Sequence, residues 1–451
     1  MNQDRPRTGR PHTNADSLLP ELSLLGDERY SVLVTSAGGG ASRSGGIAVN
    51  RWRNDGTRDA HGQWCYLMNV GTGKVWSAGH QPVCGPHQSY EAELGGDSAT
   101  IRRRDDDIET ITEIVALKNV SGEARRISVT NHSDTDVRLE LTSYQEVVLA
   151  SAVSDRGHRA FGNLFVQTEW LPESSAILAM RRPRSALHAA AWCGHTVALA
   201  EDHTSSVSCE TDRARFIGRG RSAQNPVAMD NPGNLSGTTG AVLDPVLALR
   251  TTLLIPAGNT ARAVFTTFVA ADREEAVSLA RRYTDFRKVQ GEIELVLDEG
   301  DWVAQDMGLG PGATEAYHAI AGELLYGTGR IPEGTRDDLL ALGLTGEWPI
   351  LLARLRAVTD TSRAADVLAL HEYLRRTGVA TDLVFICGDA GLEREVIEKS
   401  TPPGEEASDA AVLDQQGIFI RNEPALGSAA VALLESLARV SIDCASDWRN
   451  P

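Results

Sequence analysis

Apolar and polar residues alternate along the first part of the chain. The alternation has a period of two, and turn-forming residues separate one run from the next. Such runs recur at 109–117, 126–130, 137–144, 249–255 and 261–269. Side chains of a strand point alternately to its two faces, so this period indicates strands with one face in a core. We therefore expect a large antiparallel β-sandwich over residues 21–270.

The pattern changes to a helical period at Asp272. Helices are predicted at 273–283, 286–305 and 314–326, and they suggest a helical linker over residues 271–345. Short apolar strands at 349–354, 382–387 and 417–421 then alternate with helices at 360–377, 392–400 and 425–440. This order is typical of a small parallel α/β domain, expected over 346–442. The polar segment 1–20 is predicted to be disordered, and 443–451 to be a tail.

Composition narrows the classes of function. The chain has 451 residues and a formal net charge of −17, which disfavours binding to nucleic acid and suits a neutral ligand such as a sugar. The sequence has no long apolar run and no secretory leader pattern, so we expect a cytoplasmic protein that reaches the inner membrane only through a partner. Its six scattered cysteines are expected to be reduced thiols.

Aromatic and polar residues alternate between positions 51 and 90. A flat aromatic face stacks on a sugar ring, while guanidinium, carboxylate and amide groups bind hydroxyls. The alternative is a sandwich core edged by turns, because Trp and Tyr are common in cores. The candidate carbohydrate-binding residues are Arg51, Trp52, Arg53, Asp55, Trp64, Tyr66, Trp76 and Gln81.

Other polar clusters are weaker candidates. His80, Cys84 and His87 form an H-x3-C-x2-H group in a Pro/Gly-rich loop, and no metal is predicted because a fourth ligand is missing. The acidic run 105–107 is expected to be a solvated turn, not a catalytic pair. Gly38-Gly39-Gly40 follows a strand, but the next segment is again strand-like and offers no helix N-terminus for a phosphate. No catalytic residue and no cofactor are predicted.

Several stretches in order resemble a known family. They include Asp27–Arg43 with the glycine loop (Gly38, Gly39, Gly40, Ser42, Arg43), the block 49–59 around Arg51-Trp52-Arg53, and Gly73–Pro82. These stretches resemble the N-terminal sandwich of β-glucan phosphorylases and of the glycosyltransferase family 36 region of cyclic β-1,2-glucan synthases. The resemblance extends over about 21–440. It implies a β-glucan or gluco-oligosaccharide ligand.

In that family a following (α/α)6 barrel holds the catalytic acid, and this sequence shows no barrel pattern. We therefore expect a truncated, non-catalytic chain. Ala41, Ser44 and His61 also stand where the family carries aromatic residues, which weakens a sugar-binding loop. Three hypotheses stay open: an accessory carbohydrate-binding fragment, a subunit that acts with a separately encoded barrel or a homodimer partner, and an inactive remnant.

Overall fold

The computed structural model describes residues 11–55, 57–183, 190–200, 206–310, 312–327, 334–400, 417–446 and 448. The chain divides into two units, Met1–Trp302 and Val303–Pro451. The predicted disorder of 1–10 and the last part of the predicted tail lie outside the described residues, whereas Pro11–His12 form a short strand.

The first unit contains two large sheets. Its strands are β1 (Pro11–His12), β2 (Leu22–Asp27), β3 (Tyr30–Thr35), β4 (Gly40–Ser44), β5 (Ile47–Asn50), β6 (Gln63–Asn69), β7 (Val75–Ser77), β8 (Ser89–Leu94), β9 (Ala99–Asp105), β10 (Ile108–Leu117), β11 (Gly122–Asn131), β12 (Val137–Ala150), β13 (Val166–Leu171), β14 (Ala176–Arg181), β15 (Ala191–Leu199), β16 (Ser208–Asp212), β17 (Pro245–Ile255) and β18 (Thr260–Ala270). Its helices are α1 (Ala152–Asn163), α2 (Arg213–Ile217), α3 (Arg273–Tyr283) and α4 (Phe286–Glu299), with 3-10 turns at Pro172–Ser174 and Val227–Met229.

The strands pair in two antiparallel layers. One sheet has the order β1-β8-β9-β10-β11-β18-β15-β14-β13, and the other has the order β16-β17-β12-β5-β4-β3-β2 with β6 and β7 attached through β12. The buried and partly exposed residues of β10 alternate over its first half, as a period of two requires. The predicted antiparallel sandwich is confirmed.

A continuous apolar core fills the space between the two sheets. It includes Leu67 and Leu141 of one sheet and Ile127 and Phe265 of the other, all fully buried. Each such side chain contributes about 1.5–3 kcal/mol relative to an exposed one. The core is interrupted by polar contacts around His195, whose ring nitrogens lie 2.8 Å from Ser143 Oγ and 2.9 Å from Thr267 Oγ1.

The helices α3 and α4 pack on the outer face of the first sheet. Ala280 and Ile293 are fully buried against a cluster that contains Val264 and Phe268 of β18. Asp272 starts α3 by accepting from the Glu275 backbone N–H, and Asp285 starts α4 in the same way through Arg287 and Lys288. The described part of 271–345 is mainly helical, and its first two helices belong to the sandwich unit.

The second unit is built on a parallel sheet. Its elements are α5 (Trp302–Asp306, beginning on the last residue of the first unit), α6 (Ala313–Tyr326), α7 (Arg336–Ala341), β19 (Ile350–Leu355), a 3-10 turn (Val358–Asp360), α8 (Thr361–Arg376), β20 (Asp382–Cys387), α9 (Ala390–Ser400), β21 (Ile418–Asn422), α10 (Glu423–Leu426), α11 (Ser428–Leu437) and β22 (Val440–Asp443). The strand order is β21-β20-β19-β22. The sequence pattern predicts three strands and a helix to Val440; instead α11 ends at Leu437 and a fourth strand follows, parallel to β19. Among the described helices, none has the length and apolar character needed to cross a membrane.

Candidate functional site

Three loops of the first unit meet at the glycine loop 36–40. The Gly40 N–H donates to the His61 carbonyl at 3.1 Å, and the Gln81 N–H donates to the Ala37 carbonyl at 2.9 Å. A Cβ added at Gly79 would lie 3.0 Å from the Ala37 carbonyl oxygen. The backbones of the three loops therefore approach each other at distances that leave no room for side chains.

Asp59 lies against the glycine loop. A Cβ at Gly39 would come within 2.3 Å of Asp59 Oδ1, so only glycine fits beneath this carboxyl. Thr35 donates its hydroxyl to Asp59 Oδ2 and accepts the Gly39 N–H at 2.9 Å. Burial raises the pKa of the Asp59 carboxyl to about 6, and the Thr35 hydrogen bond opposes this shift.

Arg51 is the centre of an ion-pair cluster beside these loops. Its side chain is completely buried, and it lies 2.5 Å from Glu146 and 3.0 Å from Asp155. It also donates to the Asn163 side-chain oxygen at 3.0 Å. These partners come from β12 and α1, so Arg51 fixes the loop after β5 to both elements.

Two further arginines complete the cluster on its exposed side. Arg213 lies 2.5 Å from Glu146, and Arg159 lies 3.0 Å from Asp244. Burial raises the pKa of Glu146, but the charges of Arg51, Arg213 and Arg159 have a larger, opposite effect. The net result is a pKa of about 2. Glu146 is therefore ionised at neutral pH and cannot serve as a proton donor there. Sequence reasoning missed Glu146, Asp155 and Asp244, because most of their hydrogen bonds with arginines join residues 67 to 104 positions apart.

Three of the predicted sugar-binding aromatic residues lie in the core. The exposed fractions of Trp64, Tyr66 and Trp76 are 3%, 0% and 2%. Tyr66 donates its hydroxyl to the Ala223 carbonyl at 2.6 Å. In this structure they have no free ring face for a sugar to stack on, and their role is packing.

The other candidates of this set remain partly exposed. Trp52, Arg53, Asp55 and Gln81 have intermediate burial. Asp55 Oδ1 accepts from the Thr57 N–H at 2.9 Å, which stabilises a turn. Of the predicted set, Arg51 and the three aromatic residues are therefore buried, whereas Trp52, Arg53 and Asp55 lie on one partly exposed loop and Gln81 lies on another.

The glycine-loop candidates also have defined structural roles. Gly38, Gly39 and Gly40 are buried, and Gly38 has a φ of +93°. Ser42 is fully buried and donates to Glu123 in the sandwich interior. Burial and the nearby charge of Arg156 lower the pKa of Arg43, which is half-buried. Ser42 thus faces the core, whereas Arg43 lies closer to the surface.

The two weaker clusters behave as structural groups. His80 Nε2 lies 2.7 Å from Asp16, while Cys84 is exposed. In the described part of the chain, no group of three or more His, Cys, Asp or Glu side chains could hold a metal ion. Within the acidic run, Asp106 and Asp107 are exposed in a turn, as expected. Asp105 is instead buried and paired with Arg103 at 2.7 Å, so the expectation of a solvated turn is wrong for this residue.

Comparison with known proteins places these features in a family. Residues 7–286 match the family described as glycosyl hydrolase 94, supersandwich domain, which confirms the resemblance indicated by the sequence motifs. The chain is 30% identical over 378 residues to the cyclic β-(1,2)-glucan synthase NdvB of Rhizobium meliloti (strain 1021), covering 81% of this chain and 13% of that protein.

Two more distant similarities accompany this match. The N,N'-diacetylchitobiose phosphorylase of Vibrio furnissii is 22% identical over 282 residues, covering 61% of this chain and 34% of the relative. A solved structure of a putative kojibiose phosphorylase from the human microbiome has 10% identity and a TM-score of 0.37, covering 65% of this chain and 39% of that one. The chain thus spans about an eighth and a third of the lengths of the two curated relatives.

Proposed function

We propose, on the premise that this chain belongs to the glycosyl hydrolase 94 supersandwich family, that its first unit binds β-glucan in an accessory role beside a catalytic domain. The observation that carries the proposal is the family match of the sandwich residues 7–286. The names of both curated relatives refer to carbohydrates, a cyclic β-(1,2)-glucan and N,N'-diacetylchitobiose.

The partly exposed loop after β5 supports this role. Trp52 and Arg53 lie on it next to Asp55, and all three have intermediate burial. An indole face and a guanidinium group together suit a sugar ring and its hydroxyls. Because Trp64 and Trp76 are buried in the core, the stacking contact in this proposal comes from Trp52.

If this chain has an accessory role, another domain supplies the general acid for cleavage of the glycosidic bond. A general acid must be protonated at the working pH, and Glu146, with a pKa of about 2, is not. The pKa of Asp59, about 6, is suitable, but its carboxyl lies against Gly39 and one oxygen is hydrogen-bonded to Thr35. Purified chain is therefore expected to leave a β-glucan intact.

Calorimetric titration with a β-1,2-gluco-oligosaccharide tests the binding proposal. We expect a millimolar dissociation constant that Trp52→Ala weakens about tenfold or more. Trp348→Ala is the matched control, because Trp348 is 37% exposed and lies in the second unit. A flat titration of the wild-type chain up to about 10 mM ligand, or equal losses in the two variants, contradicts the proposal.

A second candidate function is a subunit of a split glycosyltransferase or phosphorylase. The observation that favours it is an apolar surface at α1, where Val153 and Phe161 of the helix are each 55% exposed and Leu164, the residue after it, is 49% exposed. Leu243, 79% exposed, precedes Asp244, which accepts from the α1 residue Asn163 at 2.9 Å. Exposed apolar residues grouped in this way commonly mark an interface.

In this second candidate, a separately encoded catalytic barrel covers α1. A mixture of the chain with a barrel encoded by a neighbouring gene should release glucose 1-phosphate from β-glucan only when phosphate is present, and Phe161→Ser should reduce that release. Phe165 is half-buried, so Phe165→Ser is the control that shows how much glucose 1-phosphate release is lost through unfolding alone. If the chain instead self-associates through α1, the partner that covers this apolar surface is a second copy of the chain. Absence of both glucan binding and assembly would leave an inactive remnant.

A further inference from the structure

A cavity of about 520 Å³ lies beside the turn between α3 and α4. Four described residues line it: Arg282 from the last turn of α3, and Lys288, Gly291 and Glu292 from α4. Its volume lies within the range of about 300–1,000 Å³ that is usual for small-molecule sites. All four residues belong to the first unit, and none of them takes part in the ion-pair cluster around Arg51.

Two of the lining side chains are cations whose donors are only partly engaged. Among the described residues, Arg282 donates a hydrogen bond only through Nη2, to the Glu292 carboxylate, so Nε and Nη1 have no acceptor there. Lys288 Nζ lies 3.5 Å from Asp285 Oδ2, beyond the usual length of a hydrogen bond. An anion in the cavity can therefore accept from both cations without displacing an existing hydrogen bond.

The local charge is positive where it faces the solvent. Four basic side chains stand against two acidic ones between positions 281 and 292, whereas the whole chain has a formal net charge of −17. The six residues are Arg281, Arg282, Arg287, Lys288, Asp285 and Glu292. Glu292 is only 12% exposed and already accepts from Arg282 and from the Tyr283 hydroxyl, the latter at 2.9 Å. The cavity therefore favours an anionic ligand.

Two features of α4 are unfavourable for the helix itself. Gly291 lies in the helix interior, where glycine is less favourable than alanine, although a Cβ at this position would meet nothing within 4 Å. Arg287 and Lys288 lie in the first turn, where the helix dipole disfavours positive charge and only the capping residue Asp285 offsets it. Helix stability and close packing therefore do not account for these residues, whereas a bound anion does.

We propose that this cavity binds a small organic anion through a phosphate or carboxylate group. Arg282 and Lys288 donate to the oxyanion from two different helices, as both cations commonly do. The rest of the ligand lies over Gly291, where the missing side chain leaves the space open. This site is separate from the proposed glucan binding, because a neutral glucan carries no such group and Trp52 is not among the lining residues.

Calorimetric titration of the full chain at constant ionic strength tests the inference. Glucose 6-phosphate and glucuronate are the two organic probes, which differ in their anionic group. Inorganic phosphate is the probe without an organic body, and glucose is the neutral control. We expect a dissociation constant of about 1 mM for at least one organic anion, binding of inorganic phosphate that is weaker by about fivefold or more, and no heat from glucose.

Three variants locate the binding in the cavity. Lys288→Gln should weaken the binding of the organic anion about tenfold. Arg281→Gln is the matched control, because it removes the same charge from the same turn without lining the cavity, and it should change the affinity less than about twofold. Gly291→Leu should fill the open space and abolish binding, while it raises the melting temperature because leucine favours a helix more than glycine does.

The preferred probe identifies the ligand class, a phosphate ester for glucose 6-phosphate and a carboxylate for glucuronate. No binding of either up to about 20 mM, equal weakening by Lys288→Gln and Arg281→Gln, or unchanged binding in Gly291→Leu overturns the proposal. Inorganic phosphate that binds as tightly as the organic anions also overturns it, because the organic body then makes no contact. Trp52→Ala should leave the affinity for the anion unchanged, so this proposal and the glucan proposal fail separately.

Discussion

Replacing Arg51 with Met removes the buried centre of the ion-pair cluster. The Arg51 side chain is fully buried, while Glu146 and Asp155 are 13% and 10% exposed. Removing one partner of a buried ion pair leaves an uncompensated charge, which costs about 3–5 kcal/mol. We therefore expect Arg51→Met to lower the free energy of unfolding of the first unit by about 3 kcal/mol or more at pH 7.

The pH dependence gives an independent estimate of the same energy. The pKa of Glu146 is about 2 in the folded chain, below its ordinary value of 4.5. A depressed carboxyl pKa stabilises the fold above pH 4.5, and this contribution is lost as the pH falls toward 2. A shift of this size corresponds to about 3 kcal/mol. Since Arg51 is the first charge responsible for the lowered pKa, the variant should lose much of this pH dependence.

Urea unfolding followed by tryptophan fluorescence measures both effects. Six of the eight tryptophans lie in the first unit, so the signal reports mainly on it. Arg159→Met is the control, because Arg159 is 35% exposed and its ion pairs should contribute about 1 kcal/mol or less. A loss below about 1 kcal/mol for Arg51→Met, or an unchanged acid dependence between pH 4.5 and pH 3, would refute the reasoning.

Three further predictions follow from buried groups of the first unit. Burial lowers the pKa of His195 to about 3, so the fold should lose stability as the pH falls from 6.5 toward 3, and denaturant titrations of His195→Gln should show a weaker loss. Gly39→Ala should lower the free energy of unfolding by about 1–3 kcal/mol, because the added Cβ clashes with Asp59. In a double-mutant cycle, adding Asp59→Ala should recover part of this loss. The control Gly157→Ala, with open space around it, should be neutral or stabilising. Because burial raises the pKa of Asp59 to about 6, Asp59→Asn should raise the melting temperature more at pH 8 than at pH 4, and an equal effect at both pH values would contradict this assignment.

Local patterns in the sequence predicted most elements of the fold. The period of two located β10 within one residue, because the alternation follows directly from the pleat of a half-buried strand. The helix α8 was also located within one residue at each end. The strand β22 was missed, since four residues after an apolar helix carry too little pattern, and its identity depends on pairing with β19.

The candidate site depended on information that a sequence pattern does not contain. All but the last residue of β6 is buried, so alternation could not show that Trp64 and Tyr66 both face packed layers. The partners of Arg51 lie 95 and 104 positions away, on β12 and α1. Arg51 and Arg53 look equivalent in the sequence. Only the folded chain shows that Arg51 is paired with Glu146 and Asp155, whereas Arg53 makes no ion pair with the residues that the structure describes.

The path of strand β12 limits how the ion-pair cluster around Arg51 can be transplanted into another protein. One continuous strand carries Leu141 in the apolar core, Ser143 beside His195, and Glu146 in the ion-pair cluster, and α1 begins two residues after its end. A graft of the surface loops alone onto another β-sandwich would leave Arg51 without its carboxylate. The smallest piece that keeps Arg51 with Glu146 and Asp155 is the loop after β5 together with β12 and α1. A host sandwich must accept the register of β12 to hold that piece.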